Sequence, residues 1–138
     1  LGSVDSLIVA AELTEETRGM IDRAALDRLS SDAVLVNATR GPIVETDALV
    51  EAIETGEIAG AGLDVFETEP LPSESPLLSF EQVVTTPHIA GSSIRARSSI
   101  METVAGLLED HFDGQPLPER FLAARPGETC LPQRVKQN

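Results

Sequence analysis

Short apolar runs alternate along the chain with stretches in which apolar residues recur at helical spacing. This succession is typical of a parallel α/β sheet. The second run is too continuously apolar for a strand with one wet face, and the small residues of the third would allow another backbone to approach closely. The pattern predicts strands at Ser6–Ala11, Ala33–Ala38, Ile58–Val65 and Val83–Thr86.

Helix signals lie between these runs. Asp22 is placed to cap a helix, with Ile21 and Leu26 in the hydrophobic staple positions on either side of its first turn. A second helix is predicted after the second strand, with Thr46 as its cap and Gly56 as its stop.

The longest predicted helix runs from about Ser93 to Phe112. His111 lies on its apolar stripe, and we expect it to be structural. The connection Glu67–Gln82 contains three prolines and no periodicity, and a compact domain rarely tolerates one this long unless it has a function. From about Gln115 the chain is weakly apolar and interrupted by prolines, so we expect much of that tail to be poorly ordered.

Ionisable side chains follow the ends of three neighbouring predicted strands. Arg40 comes after the second strand, Asp64, Glu67 and Glu69 close or follow the third, and His88 comes after the fourth. In an open α/β sheet, ligands bind outside the carboxyl ends of the strands. The sequence therefore predicts that a guanidinium, carboxylates and an imidazole meet at one edge.

Each of these groups also has a purely structural interpretation. Arg40 could pair with a surface acid, Asp64 could form a turn, Glu69 could be a solvated loop charge, and His88 could be a satisfied structural histidine. A site is favoured for Arg40 because it precedes Gly41–Pro42, a turn whose backbone could approach a ligand.

The segment TTPHIAGSS, Thr85–Ser93, sets His88 between a proline and a glycine. Pro87 restricts the backbone before the histidine, and Gly91 would allow a close turn after it. We expect this arrangement to aim the imidazole into a cleft.

Composition excludes several classes of partner. The formal charge of −13, from 23 acids and 10 bases, would repel nucleic acid and anionic membranes. Since Lys136 is the only lysine, the composition would also suit a very salty cytoplasm. Cys130 is the only cysteine, which excludes an intrachain disulfide and fits a reducing compartment. No metal-ligand spacing, signal peptide or membrane-spanning run is visible, so we expect a cytoplasmic protein.

The stretch GAGLDV, Gly60–Val65, superficially matches a dinucleotide-binding fingerprint. It fails as one, because Val65 stands at the third glycine position and no helix is predicted to follow. If a nucleotide binds, we expect its phosphate-binding glycine loop to lie outside this sequence.

Three ordered motifs carry a family resemblance: LTEETRGMID, LVNATRGPIVETDALVEAIETGEIAGAGLDVFETEPLP and VVTTPHIAGSS. Over about Val4 to Pro118 the chain resembles the second half of the cofactor domain of D-isomer-specific 2-hydroxyacid dehydrogenases. The resemblance implies a Rossmann-like doubly wound parallel sheet, here a partial NAD-binding domain. It divides the chain into residues 1–92 of that domain, a helix at 93–114 returning to a substrate domain, and a tail at 115–138.

The resemblance also implies roles for individual residues. Arg40 would bind the substrate carboxylate and polarise the reacting carbonyl, His88 would be the catalytic acid, and Glu69 would support it. Asp64 would hold the nicotinamide carboxamide. The implied cofactor-binding residues are Ala38, Thr39, Arg40, Asp64, His88, Ala90 and Gly91.

The implied activity is hydride transfer between NAD or NADP and a small 2-oxo or 2-hydroxy acid, as in glyoxylate/hydroxypyruvate reductases or phosphoglycerate dehydrogenase. The implied full-length protein is a homodimer, of which this chain would be a fragment that is inactive alone. Without the usual first strand beside Ser6–Ala11, an open sheet edge would promote self-association of the fragment. One alternative is a dinucleotide-sensing protein-binding module of the corepressor type. Another is a formate-oxidising relative, which we would expect to carry glutamine in place of Glu69.

Overall fold

A computed structural model of the protein describes residues 4–122. The chain divides between Ser93 and Ile94 into two compact units. The first contains a four-stranded parallel sheet in which the strands follow one another in sequence order. The predicted parallel α/β sheet is thus confirmed, with each strand shorter than its apolar run: β1 Ser6–Val9, β2 Val34–Asn37, β3 Gly60–Leu63 and β4 Val83–Thr85.

Two helices connect the first three strands, α1 at Arg23–Leu26 and α2 at Thr46–Glu54. The predicted cap of α1 is confirmed, since the Asp22 carboxylate accepts a hydrogen bond from the Ala25 N–H at 2.8 Å. Gly56 follows the end of α2 with φ +71°, a left-handed conformation that glycine adopts without strain.

The predicted cap of α2 is wrong. Glu45 occupies the N-cap position and makes no capping hydrogen bond through its side chain. The Thr46 N–H instead donates to Glu67 Oε2 at 3.2 Å, so a loop carboxylate 21 residues away takes the cap's place. Glu67, predicted among the acids of the ligand edge, therefore contacts the start of a helix, where a negative charge is favourable.

The core of the first unit lies between the sheet and its helices. Leu7, Leu35, Ala61 and Val83 are aligned across the strands and share one face. Leu35 and Ala61 are buried, and the other two are partly buried against the same core. The helices contribute the buried residues Leu26, Leu49, Ala52 and Ile53.

The opposite face of the sheet is more exposed to solvent than the sequence predicts. Ile8 and Val84 are each 67% exposed, and Val34 is 37% exposed. The prediction that neither face of β2 contacts solvent is therefore wrong in the described part of the chain. Successive side chains alternate between the two faces of the sheet, and the core forms on only one of them. The predicted close backbone approach is confirmed at Gly60, where an added Cβ would lie 2.3 Å from the Gln82 carbonyl oxygen.

The second unit begins with α3, Ile94–Phe112, which confirms the longest predicted helix. His111 is exposed, with its ring edge-to-face against Phe112 at 5.7 Å between centroids, so it is not a buried structural histidine. Of the predicted poorly ordered tail, Glu119–Phe121 forms a turn of 3-10 helix, and residues 123–138 lie outside the described part of the chain.

Candidate active site

The turn after β2 carries Arg40. Asn37, the last residue of the strand, is 1% exposed, and its side chain bonds to the turn. Asn37 Oδ1 accepts from the N–H and the hydroxyl of Thr39, both at 3.1 Å, and Nδ2 donates to the Arg40 carbonyl at 3.0 Å. The Arg40 side chain is exposed, and its Nη1 donates to the Thr39 carbonyl at 2.7 Å.

Gly41 is buried against the loop that follows β3. An added Cβ would lie 1.9 Å from the Phe66 carbonyl carbon and 2.5 Å from the Glu67 nitrogen, closer than any real contact. Gly41 thus allows the Arg40 turn to pack against the loop that leads to Glu69. The approach of this turn to a ligand stays a prediction.

Asp64 lies directly after β3 and is 6% exposed. Its Oδ1 accepts from the Thr86 hydroxyl and from the Ile89 N–H at 2.9 Å, and its Oδ2 accepts from the Ala90 N–H at 2.8 Å. Burial raises the pKa of Asp64, but these hydrogen bonds lower it by more, so its pKa lies below the ordinary value. Asp64 is thus a structural anchor for the loop after β4.

His88 is held between the residues that Asp64 anchors. Its φ is +54°, left-handed, and its N–H donates to the Asp64 carbonyl at 2.9 Å. The predicted close turn at Gly91 is confirmed, since the Ser92 N–H donates to the Ile89 carbonyl at 2.8 Å, although the left-handed residue of the loop is His88 and not the glycine. Non-glycine residues in this conformation are strained and cluster at functional sites.

Glu69 meets His88 at the same edge. Glu69 Oε2 lies 2.8 Å from His88 Nδ1, and Oε1 accepts from the Phe66 N–H at 2.9 Å. The hydrogen bond with His88 is the largest cause lowering the pKa of Glu69, and the charge of Arg40 adds to it. Since Nδ1 is engaged, Nε2 is the ring nitrogen available to a substrate. A cleft of about 300 Å³ borders the pair, lined by Phe66, Glu69, Pro70, Leu71, Leu78, Thr85, Thr86, Pro87 and His88.

The structure therefore pairs Glu69 with His88, and Arg40, at the end of a neighbouring strand, is near enough for its charge to contribute to the lowered pKa of Glu69. Residues 1–90 match the family model of the D-isomer specific 2-hydroxyacid dehydrogenase NAD-binding domain. The chain belongs to this family.

Similar proteins span several members of this dehydrogenase family. Glyoxylate/hydroxypyruvate reductase A HPR2 of Arabidopsis thaliana is 43% identical over 114 residues, which cover 82% of this chain and 36% of the relative. The chain thus spans little more than a third of that protein's length.

Solved structures of the family confirm the Rossmann-like fold. A D-isomer specific 2-hydroxyacid dehydrogenase from Xanthobacter autotrophicus Py2, in complex with NADPH and MES, is 37% identical with a TM-score of 0.75, covering 85% of this chain and 48% of that chain. An NAD-dependent formate dehydrogenase from Staphylococcus aureus, in complex with NAD, is 33% identical with a TM-score of 0.74, covering 86% of this chain and 36% of that chain.

The remaining cofactor-binding residues predicted from the family lie near the same edge. Ala38, Ala90 and Gly91 are exposed, Thr39 is partly buried, and Asp64 is buried. Their contact with a dinucleotide stays a prediction. The GAGLDV stretch is not followed by a helix: after β3 the next helical turn is the 3-10 turn at Pro76–Ser79.

Sequence reasoning missed two polar residues, Asn37 and Thr86. A signal was present for Asn37, because an amide stands at the end of an otherwise apolar strand and a buried amide requires partners. Thr86 gave no comparable signal, since its partner Asp64 is 22 residues away in sequence.

Among residues 4–122, no helix is long and apolar enough to cross a membrane. The same residues contain no group of three or more histidine, cysteine, aspartate or glutamate side chains able to hold a metal ion.

The lowered pKa of Asp64 predicts a contribution to acid stability. A carboxylate whose pKa is depressed by folding stabilises the folded state above its ordinary pKa, and this stabilisation is lost as the pH falls through the folded-state value. We expect Asp64→Asn to destabilise the chain at pH 7 and to flatten the loss of stability below about pH 4, in urea unfolding followed at several pH values. Asp32→Asn, at an exposed aspartate, is the control; an identical acid limb in wild type and Asp64→Asn would refute the role.

Proposed function

We propose that this chain supplies the nicotinamide-binding and proton-transferring part of an NAD(P)-dependent oxidoreductase that interconverts small 2-oxo and 2-hydroxy acids. The supporting observation is the 2.8 Å contact between Glu69 Oε2 and His88 Nδ1. The charge of Arg40 also contributes to the lowered pKa of Glu69. Glyoxylate and hydroxypyruvate are the substrates of choice for testing, because the Arabidopsis relative is named for them.

Arg40 and His88 have complementary tasks in this reaction. A 2-oxo acid presents a carboxylate beside a ketone, and the planar guanidinium of Arg40 can grip the carboxylate with two parallel hydrogen bonds while keeping its charge. Reduction leaves negative charge on the ketone oxygen, which takes a proton from His88 Nε2. Lysine would replace this arginine poorly, because it offers a point charge without the fork.

Glu69 orients the proposed acid. Its Oε2 lies 2.8 Å from His88 Nδ1, which fixes the imidazole ring and leaves Nε2 for the substrate. This carboxylate also argues against formate oxidation, for which the family resemblance leads us to expect glutamine at position 69.

The edge fits the nicotinamide end of a dinucleotide. Ala38, Ala90 and Gly91 present small side chains, and a Cβ added at Gly91 would meet nothing within 4 Å, so a flat ring has room there. Thr39 lies beside them, and Asp64 Oδ2, which accepts from Ala90, retains acceptor capacity for a carboxamide. The bound nicotinamide would supply the hydride, and NAD and NADP are both candidates.

We infer that activity requires a longer polypeptide, the parent protein. The chain covers 36% of the Arabidopsis relative, and residues 4–122 contain no strand, glycine-rich turn and helix in succession that could cradle the phosphates. We propose that the 138-residue chain alone has no turnover and that the parent is a cytoplasmic homodimer. The family resemblance supports the dimer, and the single cysteine supports the location.

The test is Arg40→Ala in the parent protein. Losing charge-assisted hydrogen bonds to the carboxylate should raise the KM for glyoxylate roughly 10- to 100-fold. Steady-state kinetics with NADH and NADPH measure this, with Arg40→Lys expected to recover only part of the loss. Arg28→Ala, at an exposed arginine on another part of the sheet domain, should leave the KM unchanged.

Two results would contradict the proposal. One is an unchanged KM in Arg40→Ala. The other is a folded parent protein that binds dinucleotide and captures a peptide partner but reduces no 2-oxo acid, which would favour the corepressor alternative.

A further inference from the structure

Asn37 is one of two buried polar side chains among residues 4–122, the other being Asp64. A buried amide destabilises the fold unless its polar atoms find partners. Asn37 finds them in the turn that carries Arg40, through three hydrogen bonds of 3.0 to 3.1 Å to Thr39 and the Arg40 carbonyl. Its side chain therefore replaces the ladder hydrogen bonds that the backbone loses on leaving the strand.

Arg40 is consequently fixed at its backbone from both sides. Asn37 holds the carbonyl of Arg40, and Gly41 packs the next peptide against the Phe66 backbone. The side chain beyond this anchored backbone is exposed. A guanidinium binds a carboxylate through two parallel donors only in one orientation. The direction in which the Arg40 side chain leaves the backbone therefore affects how well it binds the carboxylate.

We propose that Asn37 is a positioning residue that sets the direction of Arg40 toward the substrate carboxylate. This inference rests on the proposed function, because it needs Arg40 to bind the acid. Asn37 is fully enclosed at the end of β2 and acts through the turn without touching the substrate. A misplacement of about 1 Å of such a group can reduce turnover roughly 100-fold.

A double-mutant cycle in the parent protein separates positioning from a general structural role. Asn37→Ala should lower kcat/KM for glyoxylate roughly 10- to 100-fold when Arg40 is present, mainly through KM. In the Arg40→Ala background the same substitution should change kcat/KM by less than about 2-fold, because no guanidinium remains to be aimed. Equal losses in the two backgrounds would overturn the proposal.

A second pair of variants covers the case in which Asn37→Ala does not fold. Thr39→Val removes the hydroxyl that donates to Asn37 Oδ1 and keeps the side chain's shape, whereas Thr39→Ser retains the donor. At saturating dinucleotide, Thr39→Val should raise the KM for glyoxylate more than Thr39→Ser does, again only when Arg40 is present. A Thr39→Val effect that persists in the Arg40→Ala background would also overturn the proposal.

Different results would contradict the proposed function and the positioning role of Asn37. A parent protein that reduces no 2-oxo acid, or in which Arg40→Ala has no effect, contradicts the proposed function. If wild type turns over normally and Arg40→Ala has a strong effect, the proposed function stands. If Asn37→Ala then lowers kcat/KM equally with and without Arg40, the positioning role is contradicted.

Discussion

His88→Gln in the parent protein should lower turnover of 2-oxo acid roughly 100- to 10,000-fold, the usual contribution of a positioned general acid. Glutamine cannot release a proton at neutral pH, and nothing else at the described edge combines an imidazole with a carboxylate at 2.8 Å. The KM for the dinucleotide should change much less than turnover. Steady-state and single-turnover kinetics of the purified variant measure both quantities.

Controls separate proton transfer from backbone strain. Because His88 has a φ of +54°, glutamine there adds strain that asparagine tolerates better. His88→Asn should preserve the turn and still lose turnover to a similar extent. His111→Gln, at an exposed histidine on α3, should keep wild-type turnover. Retained turnover in His88→Asn would show that the imidazole is not the acid.

Gly41→Ala should destabilise the first unit by roughly 3 kcal/mol or more, at the upper end for overpacking. The new Cβ would sit 1.9 Å from the carbonyl carbon and 2.0 Å from the carbonyl oxygen of Phe66, and neither backbone atom can rotate away. The Arg40 turn and the loop leading to Glu69 would have to separate. Urea unfolding of the 138-residue chain, followed by circular dichroism, measures the loss.

Gly62→Ala is the matched control for this prediction. It places a methyl group on β3, where the nearest heavy atom, Val36 Cγ2, is at 3.9 Å, an ordinary contact. We expect its unfolding midpoint to stay close to that of wild type. If Gly41→Ala and Gly62→Ala unfold at the same urea concentration, the Arg40 turn does not pack closely against the loop that leads to Glu69.

The strands and the edge that they share could be predicted from sequence, because apolar runs, turn residues and the direction of parallel strands are local properties. Polar residues begin at the ends of two of the strands, Val34–Asn37 and Val83–Thr85. The sequence therefore predicts Arg40 and His88 at the same edge of the sheet. Strand ends were less accurate, since pairing with a neighbour decides where a strand stops.

The finer geometry depends on contacts between residues far apart in sequence. The cap of α2 comes from Glu67, 21 residues after Thr46, and no local pattern reveals it. The left-handed conformation of His88 is stabilised by hydrogen bonds that the neighbouring Ile89 and Ala90 N–H groups donate to Asp64, and no local pattern reveals it. Gly41 likewise packs against Phe66 and Glu67, 25 or more residues further along the chain. In each case the deciding partner is brought close only by the folded sheet.

The Glu69 carboxyl is the most direct probe of the central claim that Arg40, Glu69 and His88 share one site. Its pKa is lowered chiefly by the hydrogen bond with His88 and further by the charge of Arg40, so one titration reports on all three residues. Carbon-detected NMR titration of wild type, His88→Gln and Arg40→Ala should show a depressed pKa of Glu69 in wild type. That pKa should rise most in His88→Gln and less in Arg40→Ala. An ordinary glutamate pKa that is the same in all three proteins would contradict the account.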